Sequence, residues 1–138
     1  MKNPLRMTAR EGRTVSVRLD RDLRRLFTKA AQVVEAGYWS QGEYARDRDG
    51  YLDFSDSPSA VSWTAAGVVM LEAKKRKLDG RALFWAWERL TGALVDLAPD
   101  FVGSVNLYNN TPGRTKEEIA KLLRRAAERR DGGQEEKT

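Results

Sequence analysis

The sequence lacks both cysteine and histidine. Without cysteine it can form no disulfide, thiol nucleophile or thiolate metal site, and without histidine it has no imidazole base, Ser-His-Asp triad or histidine-bound zinc. Only carboxylate, lysine, hydroxyl and hard-cation chemistry remain for catalysis. We therefore expect a protein that is not an enzyme, has no catalytic residues and takes no cofactor or metal.

Long hydrophobic runs are absent as well. The longest stretch without a charge, Ser57 to Leu71, includes Ser, Thr, Gly and Pro and is too short to span a bilayer, and Met1 to Arg6 form no apolar targeting segment. We expect a cytoplasmic protein that has no membrane partner. A length of 138 residues suits one globular domain, which we place at residues 1–131.

Positive charge is in excess, with 25 Lys and Arg residues against 20 Asp and Glu residues. Basic residues are concentrated in residues 1–30, and acidic residues in residues 43–56. We therefore expect a molecule with a basic N-terminal face and an acidic loop.

The spacing of apolar residues predicts a mainly α-helical fold of about four helices, with a long aromatic loop and one or two short N-terminal β-strands. Alternation over residues 13–19 predicts a short strand. Three- and four-residue apolar steps, together with capping residues, predict helices at residues 20–36, 58–78, 81–97 and 116–130. Thr115 and Glu118 predict a capping box at the start of the last helix. Residues 132–138 are polar and are expected to form a disordered tail.

The predicted loop, residues 38–57, is rich in aromatic residues. Such residues either close a small satellite core under the loop or form a binding surface. We expect Gln41 and Arg46 to order the loop by bonding its backbone, and Trp85 to be exposed because it cannot share a helix face with Trp87. The candidate partner-binding residues are Tyr38, Trp39, Gln41, Tyr44, Arg46 and Trp85.

Three short blocks follow one another along the chain. They are A-G-Y-W-S-Q-G-E-Y-A-R-D from residue 36, a small-residue helix around Gly67, and Tyr108-Asn109-Asn110 with P-G-R-T at residues 112–115. This order, W-x-Q-G-x-Y-A-R-D followed by P-G-R-T, resembles the DUF6197 type, a family of small bacterial and phage proteins of unknown function. The resemblance covers residues 20–128 and implies helix, not strand, around Gly67, but it implies no activity.

The chain departs from this family pattern in two places. Members often have cysteine in the second helix, where this chain has Val61-Ser62-Trp63, and Trp-Asn-Asp in place of Tyr108-Asn109-Asn110. The missing cysteine suggests that this position serves packing and not chemistry.

Two acidic patterns resemble metal sites but are incomplete. Residues 47–56 follow positions three to twelve of an EF-hand loop, yet Ala45 replaces the first aspartate and Asp56 replaces the bidentate glutamate. The alternative is a turn whose carboxylates cap backbone amides. Glu72-Ala73-Lys74 resembles the acid-x-Lys arrangement of divalent-metal nucleases, which requires the preceding apolar run to be a strand.

The basic N-terminal segment resembles the start of a ribbon-helix-helix module, but the second helix does not follow at the required distance. Its cations could still contact phosphates without reading bases. The candidate nucleic-acid-binding residues are Arg13, Arg18, Arg21, Arg24, Arg25 and Lys29.

These observations favour a non-catalytic interaction protein, phage-encoded, that binds and inhibits a macromolecular host partner. The partner is a protein or a ribonucleoprotein, held by the aromatic loop and the basic face. The alternative is a nucleic-acid-binding protein that contacts phosphates through its basic face, and the third hypothesis is a metal-dependent nuclease-like hydrolase. The sequence does not decide the oligomeric state.

Overall fold

The computed structural model describes residues 15–130 of the chain. Five helices and one three-stranded antiparallel sheet lie within them. The helices are α1 (Val17–Glu35), α2 (Ala65–Lys75), α3 (Gly80–Leu97), α4 (Val105–Asn110) and α5 (Lys116–Glu128). The strands are β1 (Ala45–Asp47), β2 (Leu52–Asp53) and β3 (Ala60–Trp63), in the order β2-β1-β3. The prediction of a mainly α-helical fold is confirmed.

The centre of the core lies between α1 and α5, with α2 and α3 packed around them. Both central helices are amphipathic, and their apolar residues recur at the three- and four-residue steps that place them on one face. Leu26 and Phe27 of α1 and Leu122 of α5 are fully buried. Burying side chains of this size contributes about 1.5–3 kcal/mol each. The predicted capping box of Thr115 and Glu118 is present at the start of α5.

The strand predicted over residues 13–19 is wrong where the structure describes it, because α1 begins at Val17. Ser16 caps this helix, and its hydroxyl accepts a hydrogen bond from the amide of Leu19 at 3.1 Å. The apolar alternation is also compatible with a helix. Val15 and Leu19 are four residues apart, and Val17 between them is exposed. That spacing fits a helix as well as a strand.

The helix predicted over residues 58–78 is wrong in its first part. Residues 60–63 form β3, in which Ser62 and Trp63 pair with β1, and α2 begins only at Ala65. The capping residue is Thr64, whose hydroxyl accepts a hydrogen bond from the amide of Gly67 at 3.0 Å. Along the chain, the sheet therefore lies between α1 and α2. The prediction had placed the strands before α1.

Two of the expectations fall outside residues 15–130. They are the first part of the predicted strand, with Arg13, and the disordered tail at residues 132–138. Within the described residues, no helix is long and apolar enough to cross a membrane.

Candidate functional site

Asn109 on α4 is fully buried and joins the aromatic loop to the helices. Its side-chain oxygen accepts hydrogen bonds from the indole of Trp39 at 2.8 Å and from the amide of Ala65 at 3.0 Å. Its side-chain nitrogen donates to the carbonyl of Ser40 at 3.1 Å and to the side chain of Asn110 at 2.9 Å. The amide group thus uses both acceptor and both donor positions. Trp39 is therefore an anchor of the fold.

The rest of this loop segment is tied down in the same way. Asn110 exchanges two hydrogen bonds with the backbone of Gly42, both at 2.8 Å, and Gln41 donates to the carbonyls of Asn109 and Thr111, both at 3.0 Å. Arg46 donates to two further carbonyls. The expectation that Gln41 and Arg46 bond to backbone is confirmed. We call residues 39–46, with Asn109 and Asn110, the tethered segment.

The P-G-R-T block contacts α4, the helix that carries Asn109 and Asn110. The guanidinium of Arg114 donates to the carbonyl of Tyr108 at 2.9 Å, lies 3.7 Å from the centre of its ring, and pairs with Glu118 at 3.1 Å. These contacts fix the turn that leads from α4 into α5. The block therefore has a structural use in this fold.

Gly67 allows α2 to touch the tethered segment directly. A Cβ atom at this position would overlap the backbone carbonyl of Tyr44. Because two backbones meet there, no flexible side chain can move aside to make room. The start of α2 is thus held against the residues that lead into β1.

An open groove of about 530 Å³ lies between the β1–β2 hairpin and α2. Four apolar or aromatic side chains line it, namely Tyr44, Leu52, Phe54 and Met70. Phe54 is 77% exposed and Leu52 is 54% exposed. Large apolar side chains of this kind, gathered in one place on a surface, are typical of an interaction site. We call this feature the hairpin groove.

Acidic residues border the hairpin groove. They are Glu43, Asp53 and Asp56, and the only cation with them among the described residues is Lys74, which pairs with Asp56 at 2.7 Å. The hydroxyl of Ser59 lowers the pKa of Asp53, and Lys74 lowers the pKa of Asp56. Both carboxylates are therefore ionised at neutral pH, and the groove is negatively charged.

A second groove, of about 600 Å³, borders the first. Tyr44 and Met70 line both, so the two meet at these side chains. The second groove extends over α3 and the start of α4 past Leu83, Trp87 and Val105, and no lining residue within the described part of the chain is charged. The two together form an apolar surface with one acidic end, which we call the joined grooves.

A basic depression of about 340 Å³ lies where α1 meets the end of α2. The residues that line it are Arg24, Arg25, Thr28, Lys29, Gln32 and Arg76. Three of these are sequence candidates, whereas Arg76, which caps the C-terminus of α2, was not among them. Two more candidates, Arg18 and Arg21, are exposed on α1.

One family matches the chain, over residues 19–129, and it is described as a family of unknown function, DUF6197. The matched region contains the tethered segment, both grooves and the P-G-R-T block. The chain belongs to this family. No curated protein and no solved structure matches the chain. Membership in DUF6197 confirms the resemblance found in the sequence, and it assigns no activity.

The structure separates the six candidate partner-binding residues. Trp39, Gln41 and Arg46 belong to the tethered segment. Tyr44 lies in the same segment, but it alone among the six lines the joined grooves. The other two lie elsewhere, and the backbone of Tyr38 bonds to β3. The prediction that Trp85 is exposed is wrong, because Trp85 is half-buried against the core while its neighbour Phe84 is exposed.

Sequence reasoning missed Leu52, Phe54 and Met70. A signal for the first two was present, because Asp49-Gly50 is a hairpin turn sequence and Leu52 and Phe54 follow it two residues apart. Met70 had no such signal. It reaches the groove only because α2 packs beside the hairpin.

The acidic patterns do not form a metal site in the described residues. The carboxylate of Asp47 accepts hydrogen bonds from the amides of Asp49 and Tyr51 at 2.9 and 3.0 Å, as expected of a turn. The apolar run before Glu72 belongs to α2, whereas the nuclease arrangement requires a strand. Within residues 15–130, no group of three or more acidic residues could hold a metal ion.

Proposed function

We propose that this protein is a non-catalytic interaction module that binds a polypeptide partner through the joined grooves. One observation carries the proposal: Trp39, Gln41 and Arg46 are hydrogen-bonded within the fold, yet Leu52 and Phe54, a few residues further along the chain, remain exposed. If the loop only closed a satellite core, these side chains would be buried. Burying these side chains against a partner removes apolar surface from water, which favours binding, and it requires no change in the fold.

The charge of the hairpin groove supports a particular partner chemistry. A segment that fits would carry large apolar side chains for the uncharged part and Lys or Arg for the acidic end. Charges at the rim of an interface chiefly raise the association rate and make it depend on salt. The proposed partner is thus a basic, amphipathic stretch of polypeptide.

The proposal extends to the setting of the interaction. A chain without cysteine forms no disulfide and needs no oxidising compartment, and we propose a cytoplasmic location. A small module without catalytic residues acts by binding to its partner and covering part of the partner's surface. We propose that a phage-encoded member of DUF6197 would inhibit a host protein in this way.

The first experiment is affinity capture from host lysate, followed by mass spectrometry and calorimetry with the captured partner. Phe54→Ala should weaken binding roughly 30-fold, as expected for an interface anchor worth about 2 kcal/mol. The matched control is Tyr51→Ala, because Tyr51 is exposed on the same hairpin but does not line the groove. Equal affinity for Phe54→Ala and the wild type would contradict the proposal.

The charge of the hairpin groove is tested with a second pair of variants. Glu43→Lys reverses a charge at the hairpin groove, while Glu88→Lys makes the same change on exposed α3 surface that lines neither groove. Glu43→Lys should slow association and remove much of its salt dependence. If both variants behave alike, the acidic border does not select the partner.

A further inference from the structure

The basic depression between α1 and α2 has the composition of an anion site. Every side chain that lines it carries a hydrogen-bond donor, and no carboxylate lines it among the described residues. Guanidinium groups make strong, charge-assisted hydrogen bonds to phosphate oxygens. The hairpin groove, with its three carboxylates, has the opposite character.

Two of the cations at this depression are partly neutralised and two are not. Arg24 pairs with Asp20 at 2.9 Å, and Arg76 lies 3.6 Å from the buried Glu72. Arg25 and Lys29 are exposed and form no ion pair with any residue of the described chain. Positive charge is therefore left over, and it points to solvent.

The leftover charge continues along α1 as a stripe. Arg18, Arg21, Arg25 and Lys29 are exposed and follow one another at steps of three or four residues, which places them on one face of the helix. At 1.5 Å per residue the stripe is about 16 Å long. One strand of B-DNA presents about five phosphates over that axial length. The ligand that fits is an extended polyanion and not a single phosphate.

We propose that the stripe and the basic depression bind the phosphodiester backbone of a nucleic acid, without reading its sequence. An anionic membrane fits less well, because the apolar face of α1 is buried in the core and Val17 is its one exposed large apolar residue among those described. An interfacial helix needs that face free to enter the lipid.

This site is independent of the joined grooves. Met70 and Lys74 on α2 are four residues apart and share the face that lines the hairpin groove. Arg76, two residues after Lys74, lies on another face and lines the depression. The two sites can therefore be tested separately by substitutions on either side of α2.

The test is fluorescence anisotropy with a labelled 20-base-pair DNA of mixed sequence, titrated between about 50 and 200 mM salt. Four phosphate contacts predict a slope of log K against log salt of about −3.6. Arg25→Ala/Lys29→Ala should lower affinity at least tenfold and bring the slope to about −1.8, since two contacts are lost. Alanine is a good helix former, so α1 should be preserved, which circular dichroism checks.

The matched control is Arg81→Ala/Lys121→Ala, which removes the same charge from exposed positions that do not line the depression. It should keep at least half of the wild-type affinity. No binding at 50 mM salt, or an equal loss in the control, would overturn the proposal. Tighter binding to phosphatidylserine vesicles than to DNA, lost in the Arg25→Ala/Lys29→Ala variant, would assign the face to membranes and overturn it as well.

Discussion

Residues 39–46 of the tethered segment and residues 52–54, at and just after β2, lie in one stretch of chain but use their side chains in opposite ways. In residues 39–46, Trp39, Gln41 and Arg46 turn inward and bond to α4 or to loop carbonyls. In residues 52–54, the side chains of Leu52 and Phe54 face solvent. Trp39, Gln41 and Arg46 of the W-x-Q-G-x-Y-A-R-D motif thus hold the loop in place, whereas the surface offered to a partner comes from Tyr44 and from residues outside the motif.

The largest expected effect is on the tethered segment. Asn109→Ala leaves the indole of Trp39, the amide of Ala65 and the carbonyl of Ser40 without their partner. Each buried group so orphaned costs about 1–3 kcal/mol, and we expect a loss of about 4 kcal/mol in the free energy of unfolding. Urea denaturation measures it.

The matched control for this prediction is Asn106→Ala, because Asn106 lies on the same helix but is exposed. Its unfolding free energy should stay within about 0.5 kcal/mol of the wild type. A similar loss in both variants would mean that the effect comes from α4 itself and not from the network.

A slightly smaller effect is expected where α2 meets the tethered segment. Gly67→Ala forces a methyl group against the carbonyl of Tyr44 and should cost about 3 kcal/mol in unfolding free energy. Gly80→Ala, at the start of α3 where a Cβ meets no atom of the described chain, should cost nothing measurable. Thermal unfolding followed by circular dichroism compares the two variants. A stable Gly67→Ala protein would show that the two backbones can move apart.

A substitution of Phe54, just after β2, should have almost no effect on stability. Phe54→Ala removes a side chain that is 77% exposed, so the unfolding free energy should change by less than about 0.5 kcal/mol. Urea denaturation of this variant beside Asn109→Ala gives the contrast directly. A loss above 1 kcal/mol would mean that Phe54 packs in the fold and is not reserved for a partner.

The smallest expected effect is the response of the groove to mild acid. Because hydrogen bonds from Ser59 and Lys74 lower the pKa values of Asp53 and Asp56, these carboxylates stay charged as pH falls from 7 to 5. The contribution of these two carboxylates to the affinity for a basic partner should be constant over that range and should fall only below the ordinary aspartate pKa of 3.8. Calorimetry at pH 7, 5 and 3.5 tests this. A loss already at pH 5 would assign the attraction to other groups.

Much of the fold could be predicted because its signals are local. Apolar steps over a dozen or more residues marked α1, α3 and α5, and Thr115 with Glu118 marked the start of the last helix. Residues 13–19 and 60–63 were assigned wrongly because patterns of four to seven residues fit a helix and a strand about equally well. Only the pairing of β3 with β1, which is a tertiary contact, decides the second case.

The candidate site was harder to predict for the same reason. Gln41 and Arg46 could be recognised as polar residues that must satisfy a loop backbone. Met70 and Arg76 could not, since each joins its site through the packing of α2 against a distant element. Phe54 was visible as an aromatic residue, but only the tertiary structure shows that it is exposed whereas Trp39 bonds to the buried Asn109.

The bond between Trp39 and Asn109 also has a consequence for the order of folding. It joins residues 70 positions apart, and closing so long a loop is entropically costly until other contacts have brought its ends together. The pairing of α1 with α5 does this by docking the two ends of the described chain. The sheet should then acquire its final arrangement last and lose it first. In native-state hydrogen exchange, the amides of β1 and β3 should exchange sooner than those in the middle of α1.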